Sequence, residues 1–134
     1  MSSNPLHKYK KTSVLSASRE QILLMLYEGA IKFTKLAIQA TEQNKIAERG
    51  QNILRAFDII LELQARLDHK VGGELAGQLE QLYLFMMDKY TQANLKGDPE
   101  PLRANLKVLE NLYDGWKQAV EKIKKENVQK GGAA

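Results

Sequence analysis

Residues that stop or start helices recur along this chain at nearly even intervals, and between them apolar residues return every three or four positions. Each break has its own physical reason. Ser18 and Gln21 have capping-box spacing, in which side chains take up backbone N–H groups that a first turn leaves free. Thr41 to Lys45 is a stretch with no apolar residue. Gly72-Gly73 favours turns over helix, and Glu74 behind it places a negative charge at the positive start of a helix. Gly97 closes a helix, Asp98 suits the cap of the next, and Pro99 and Pro101 fit only in a first turn. The pattern predicts helices over about 18–43, 46–68, 74–96 and 99–127, behind a flexible arm, 1–17, and ahead of a disordered tail, 128–134. Helices of such length joined by short connections pack against their sequence neighbours in opposite directions. The expected fold is all-α: an antiparallel up-down-up-down four-helix bundle with an N-terminal arm and a frayed basic C-terminal tail.

Core stripes follow from the same periodicity. They run through Leu23, Leu26, Ala30, Phe33 and Ala37 in the first helix and Ile53, Ala56, Phe57, Ile60, Leu63 and Leu67 in the second. The third offers Leu75, Leu79, Leu82, Met86 and Ala93, and the fourth Leu102, Leu106, Leu109, Tyr113, Trp116, Val120 and Ile123. When each residue is advanced by about 100° around its helix, a surplus of apolar residues falls off these stripes. Leu24 and Ile31 form a seven-spaced row, Leu61 lies in a similar one with Leu54, and Tyr83, Met87, Tyr90 and Leu95 share a side of the third helix with Val108 and Leu112 on the fourth. Tyr joins an apolar body to a wet tip and Met adapts to varied neighbours, so this set is the candidate binding surface, suited to an amphipathic helix.

Other classes of function find little support. The chain has no cysteine, which excludes a disulfide scaffold, a zinc ribbon and a thiol nucleophile. No apolar run is longer than that of Ile22 to Tyr27, too short for a membrane span. The net charge of +4 hints at nucleic acid, but residues 1–19 and 117–134 carry +4 and +3 while the body between them sums to −3. Basic ends on a mildly acidic body read as solvated termini, and no nucleic-acid partner is expected. Helical bundles become metalloenzymes through Glu-x-x-His pairs. Here Asn4 and Arg66 stand three residues before His7 and His69. His69 instead suits the C-terminal end of the second helix, where partial positive charge meets the dipole. No phosphate-binding glycine loop or nucleophile motif is present, so no catalysis, metal or cofactor is expected.

Several short elements, in order, carry a resemblance. Tyr9 precedes Ser13 to Ser18; then come Leu26-Tyr27-Glu28-Gly29-Ala30, Ile59-Ile60 with Glu62-Leu63, Leu67-Asp68, Gly72-Gly73-Glu74-Leu75-Ala76, Leu82-Tyr83, Ala93-Asn94-Leu95 with Asp98, and Trp116. Over about residues 9–120 the chain resembles the flagellin-specific export chaperones, the FliS family. Phe85-Met86-Met87 fills a stretch that varies in that family, and the Lys-rich end after Lys117 is not diagnostic.

The resemblance implies a cytoplasmic four-helix chaperone that binds the C-terminal segment of flagellin, blocks premature polymerisation and delivers the client to the flagellar export apparatus without nucleotide. A monomer or weak homodimer is expected. In the arm, Leu6, Tyr9, Val14 and Leu15 interrupt a polar, basic stretch, which suggests a latch that covers the client groove when it is empty. The alternative is a self-associating bundle whose spare faces pair with copies of itself.

Overall fold

The computed structural model describes residues 19–133. It contains four helices: α1 (Arg19–Glu42), α2 (Ile46–Ala65), α3 (His69–Lys96) and α4 (Glu100–Ala133). Each packs against its neighbours around a ring, α1 on α2 and α4, and α3 on α2 and α4. The protein is an all-α four-helix bundle. The α1–α2 pair is the closest, and an added Cβ at Gly29 of α1 would meet Ile59 Cδ1 of α2 at 3.0 Å. This helical glycine therefore permits a near approach rather than a turn.

The turns use the chemistry that their residues offer. Asn44 takes a left-handed conformation (φ 58°), and Lys45 N–H donates back to Ala40 O at 2.8 Å, which closes α1. Gly97, also left-handed, closes α3. Asp98 accepts from Glu100 N–H at 3.0 Å, the cap expected ahead of Pro99 and Pro101.

The connection between α2 and α3 departs from the sequence pattern. α2 stops at Ala65, short of the expected 68, because Asp68 caps the following helix and accepts from Lys70 and Val71 N–H at 3.0 and 3.1 Å. His69 thus opens α3 instead of ending α2, and its Nε2 lies 2.9 Å from Glu80 Oε2. The expected break survives as a kink at Gly73 (φ 53°, ψ −123°), a conformation that a side chain would strain. α4 runs to Ala133 rather than ending near 127. Glu121 and Lys125 stand four apart, a spacing that supports a helix without tertiary packing. The arm, 1–17, and Ser18 of the expected capping box lie outside the described residues.

Inside the ring the core follows the predicted stripe closely on α2, where Ile53, Ala56, Ile60 and Leu63 are buried. On α1 it is turned by about one residue: Tyr27, Ala30, Thr34, Ala37 and Thr41 are buried, while Leu23, Leu26 and Phe33 are only partly so. On α3 the inward residues are Leu79, Tyr83, Met86, Met87, Tyr90 and Ala93. Hydroxyls explain the shift. Tyr27 pairs with Tyr83 at 2.5 Å and Thr34 with Tyr90 at 2.7 Å, both across the bundle and 56 residues apart in sequence. A buried polar group is costly only when it lacks such a bond. Two rungs with one sequence offset also show that α1 and α3 run parallel, as the up-down-up-down order requires.

Candidate functional site

The residues predicted to share one binding face do not share one. Tyr83 and Tyr90 are 1% and 0% exposed, and Met87 and Leu24 are buried with them. These four belong to the core, because cross-bundle hydroxyl bonds let the tyrosines point inward; Leu24, Met87 and Tyr90 are withdrawn from the binding surface, and Tyr83 meets it only at the floor of a groove. Ile31, Val108 and Leu112 are half-buried and pack against the core edge. Leu61 and Leu95 remain outside, 43% and 81% exposed. The expected latch residues Leu6, Tyr9, Val14 and Leu15 lie outside the described residues.

Three surface grooves take the place of that single face. The largest, about 730 Å³, lies between α1 and α4; Ile31, Ile38 and Tyr113 share its walls with Lys32, Lys35, Glu110 and Asp114. A second, about 270 Å³, lies between α2 and α3, with Leu54, Phe57, Thr91 and Leu95 on its walls. The third, also about 270 Å³, opens at the end of the bundle where α2 passes into α3. Leu63 and Leu67 of α2, Val71, Leu75 and Leu79 of α3, Leu23 of α1 and Trp116 of α4 surround it, with Arg66 and Asp68 as its charged members.

This third groove is built by the α2–α3 connection. Asp68 starts α3 early, the Gly73 kink turns its first residues aside, and the His69–Glu80 contact ties them to the helix beyond. Gly72 lies so near Ala76 that a Cβ there would come within 2.9 Å of the Ala76 methyl. As a result Val71 and Leu75 stand 86% and 53% exposed at the rim. The sequence pattern placed Leu75 in the core, but the kink carries it to the surface.

At the floor lies an incomplete polar cluster. Tyr83 lines the groove and shares its hydrogen bond with Tyr27. The indole N–H of Trp116 is buried and has no hydrogen-bond partner among the described residues. Burial raises the Tyr27 pKa above its ordinary value, and the nearby Tyr83 hydroxyl and Trp116 indole offset part of that rise. Burial lifts Tyr83 strongly and pushes Tyr90 up to about 12. All three tyrosines are therefore neutral donors at physiological pH.

No group of three or more metal-ligating side chains occurs among the described residues, and none of their helices is long and apolar enough to cross a membrane. The geometry offers apolar burial together with hydrogen-bond donors, which is equipment for holding a chain.

Comparison with known proteins points the same way. The family described as Flagellar protein FliS matches residues 2–123. The flagellar secretion chaperone FliS of Bacillus subtilis is 34% identical over 131 residues, covering 98% of this chain and 97% of the relative. Its counterpart in Vibrio cholerae is 38% identical over 117 residues, with 84% and 86% covered, and that of Salmonella typhimurium 35% identical over 109 residues, with 81% of each covered.

Proposed function

The chain belongs to the FliS family of flagellar secretion chaperones, and on that premise we propose that it binds the C-terminal segment of flagellin in the cytoplasm, keeps it from polymerising and delivers it to the flagellar export apparatus. The observation that carries the reading is the third groove, whose walls are almost wholly apolar and whose rim exposes Val71 and Leu75. Burial of apolar surface is worth about 25 cal/mol per Å². A client segment with an unburied apolar stripe gains this on docking, and the gain offsets the entropy lost when it orders. The α2–α3 groove at Leu54 and Leu95 supplies a second station, with Leu61 between the two along α2. The α1–α4 groove suits such a client less well, since its lysines and carboxylates would lose hydration under an apolar chain.

Nothing in this mechanism requires bond chemistry, so the protein acts as a binder and not as an enzyme. It works as a monomer or weak homodimer, because its client covers the surface that a permanent second copy would need. The arm enters as a competitor. α1 starts at Arg19, one turn before Leu23 on the groove wall, and the stretch ahead of it contains Leu6, Tyr9, Val14 and Leu15.

Titration calorimetry of the full chain with the flagellin C-terminal segment tests the proposal. Saturable binding with a negative heat-capacity change, the mark of apolar burial, is expected. Absence of binding at micromolar concentrations overturns it.

A further inference from the structure

The two hydroxyl rungs between α1 and α3 differ in how they end. In one, Tyr90 meets Thr34, and Thr34 Oγ1 donates in turn to Ala30 O at 2.7 Å. That chain of donors terminates in a backbone carbonyl. The other rung, one seven-residue repeat earlier on both helices, has no such terminus. Tyr27, Tyr83 and the Trp116 indole bring three polar hydrogens and only two oxygens. The Tyr27–Tyr83 bond uses one hydrogen, Trp116 Nε1 is unpartnered, and no acceptor among the described residues takes what remains. Even if the indole swung onto Tyr27, one hydroxyl hydrogen would be left over.

The surplus lies directly under the floor of a groove, with Trp116 Nε1 buried and Tyr83 1% exposed. Tyr83 and Trp116 both line the third groove, whereas Tyr90 and Thr34 line none of the three. A buried donor without an acceptor is a standing cost, and here a group entering the groove removes it. We infer that the segment held in this groove brings a carbonyl oxygen to the Tyr83–Trp116 cluster, so that these two residues determine which apolar segments are accepted. This rests on the client reading above. A neutral oxygen suits the site better than a carboxylate, because the surrounding walls would strip a charge of water and the groove's cation, Arg66, is already paired with Glu62. Two sources share that chemistry: the amide side chain of an Asn or Gln set among apolar residues, or a main-chain carbonyl freed where a client helix ends. A purely aliphatic segment would leave the donors unpaired and bind less well.

The test uses the full chain and the flagellin C-terminal segment. Tyr83→Phe removes the donor at the groove, and Tyr90→Phe removes a hydroxyl of the same kind from the closed rung. Tyr83→Phe is expected to weaken binding by about tenfold, the size of one lost hydrogen bond between buried groups, while Tyr90→Phe changes affinity by less than about twofold. The chain contains one tryptophan, so its indole N–H gives a single NMR resonance, expected to move downfield when the segment binds. Replacing each client Asn or Gln by Ala separates the sources: a loss matching that of Tyr83→Phe assigns a side-chain amide, and no such loss assigns the main chain. If the wild-type chain binds the segment but Tyr83→Phe binds equally well and the indole resonance stays put, this inference falls and the client reading stands. If the wild type fails to bind, the client reading falls. An indole resonance that shifts on deletion of residues 1–15, and not on addition of client, assigns the acceptor to the arm and overturns the proposal.

Discussion

One end of the bundle is tied by polar bonds at every connection, and at the other a buried hydrogen-bond donor lacks a partner beside an apolar groove. At the tied end Asn44, Gly97 and Asp98 complete their turns, Arg49 donates to Asn94 O at 3.0 Å, and Arg103 reaches Glu42 at 2.7 Å as well as Glu100. The nearer hydroxyl rung ends in a carbonyl. At the open end the Gly73 kink exposes Val71 and Leu75, and the second rung ends beside Trp116 with donors to spare. The contrast teaches that satisfaction of polar groups is distributed by role. The tied end sets helix register, and the open end holds the groove proposed for the client.

Alkaline titration breaks the contrast most completely, since tyrosines secure both rungs. Tyr27, Tyr83 and Tyr90 all have pKa values raised by burial above the ordinary 10. A raised value stabilises the fold fully below the unfolded pKa and loses that contribution as pH climbs past it. Stability should therefore stay level to about pH 9 and then fall by about 1.4 kcal/mol per pH unit for each tyrosine ionised only in the unfolded chain. Denaturant midpoints across that range, with tyrosinate absorbance, check this. Absorbance showing all tyrosines ionising before unfolding would contradict it.

Placing a charge on the open rim addresses one end alone. Leu75→Glu should weaken client binding by about 1–3 kcal/mol and leave the melting temperature nearly unchanged, because Leu75 is half exposed. A comparable loss of melting temperature would return Leu75 to the core.

A matched pair of hydroxyl deletions sharpens the comparison. Tyr90→Phe leaves Thr34 bonded to Ala30 O and should cost about 0.5–1.5 kcal/mol, whereas Tyr27→Phe strands the Tyr83 hydroxyl and should cost about 1–3 kcal/mol. Urea unfolding of the two variants reads the difference, and equal costs would mean that the rungs are equivalent.

The smallest effect concerns the arm. On the proposal that the arm competes for the open groove, deleting residues 1–15 should tighten client binding several-fold, by about 1 kcal/mol. Weaker binding in the calorimeter would make the arm a client contact instead.

What the sequence disclosed and what it hid follow from the range of the interactions. The breaks at 41–45 and 97–101 were legible because Asn, Gly, Asp and Pro act on the backbone within a turn of themselves, whereas the one expected at 72–73 is a kink inside α3, the break itself falling at 66–68 where Asp68 caps. The stripe on α2 was legible because it is made of aliphatic residues. The inward faces of α1 and α3 were not, since Tyr27, Thr34, Tyr83 and Tyr90 read as wet-tipped until a partner 56 residues away is known. The same blindness moved Tyr83 and Tyr90 onto the outer face, while Leu75 was placed in the core because periodicity does not carry the Gly73 kink that exposes it. Leu61 and Leu95 were rightly read as off-core because no polar bond competes to turn them inward.

Amide hydrogen exchange with and without the flagellin C-terminal segment tests the central claim most directly. Added protection is predicted along residues 63–79 and at Trp116, where the open groove lies, with residues 97–103 of the tied end unchanged. Protection confined to residues 28–39 and 110–114 of the α1–α4 groove would contradict the account.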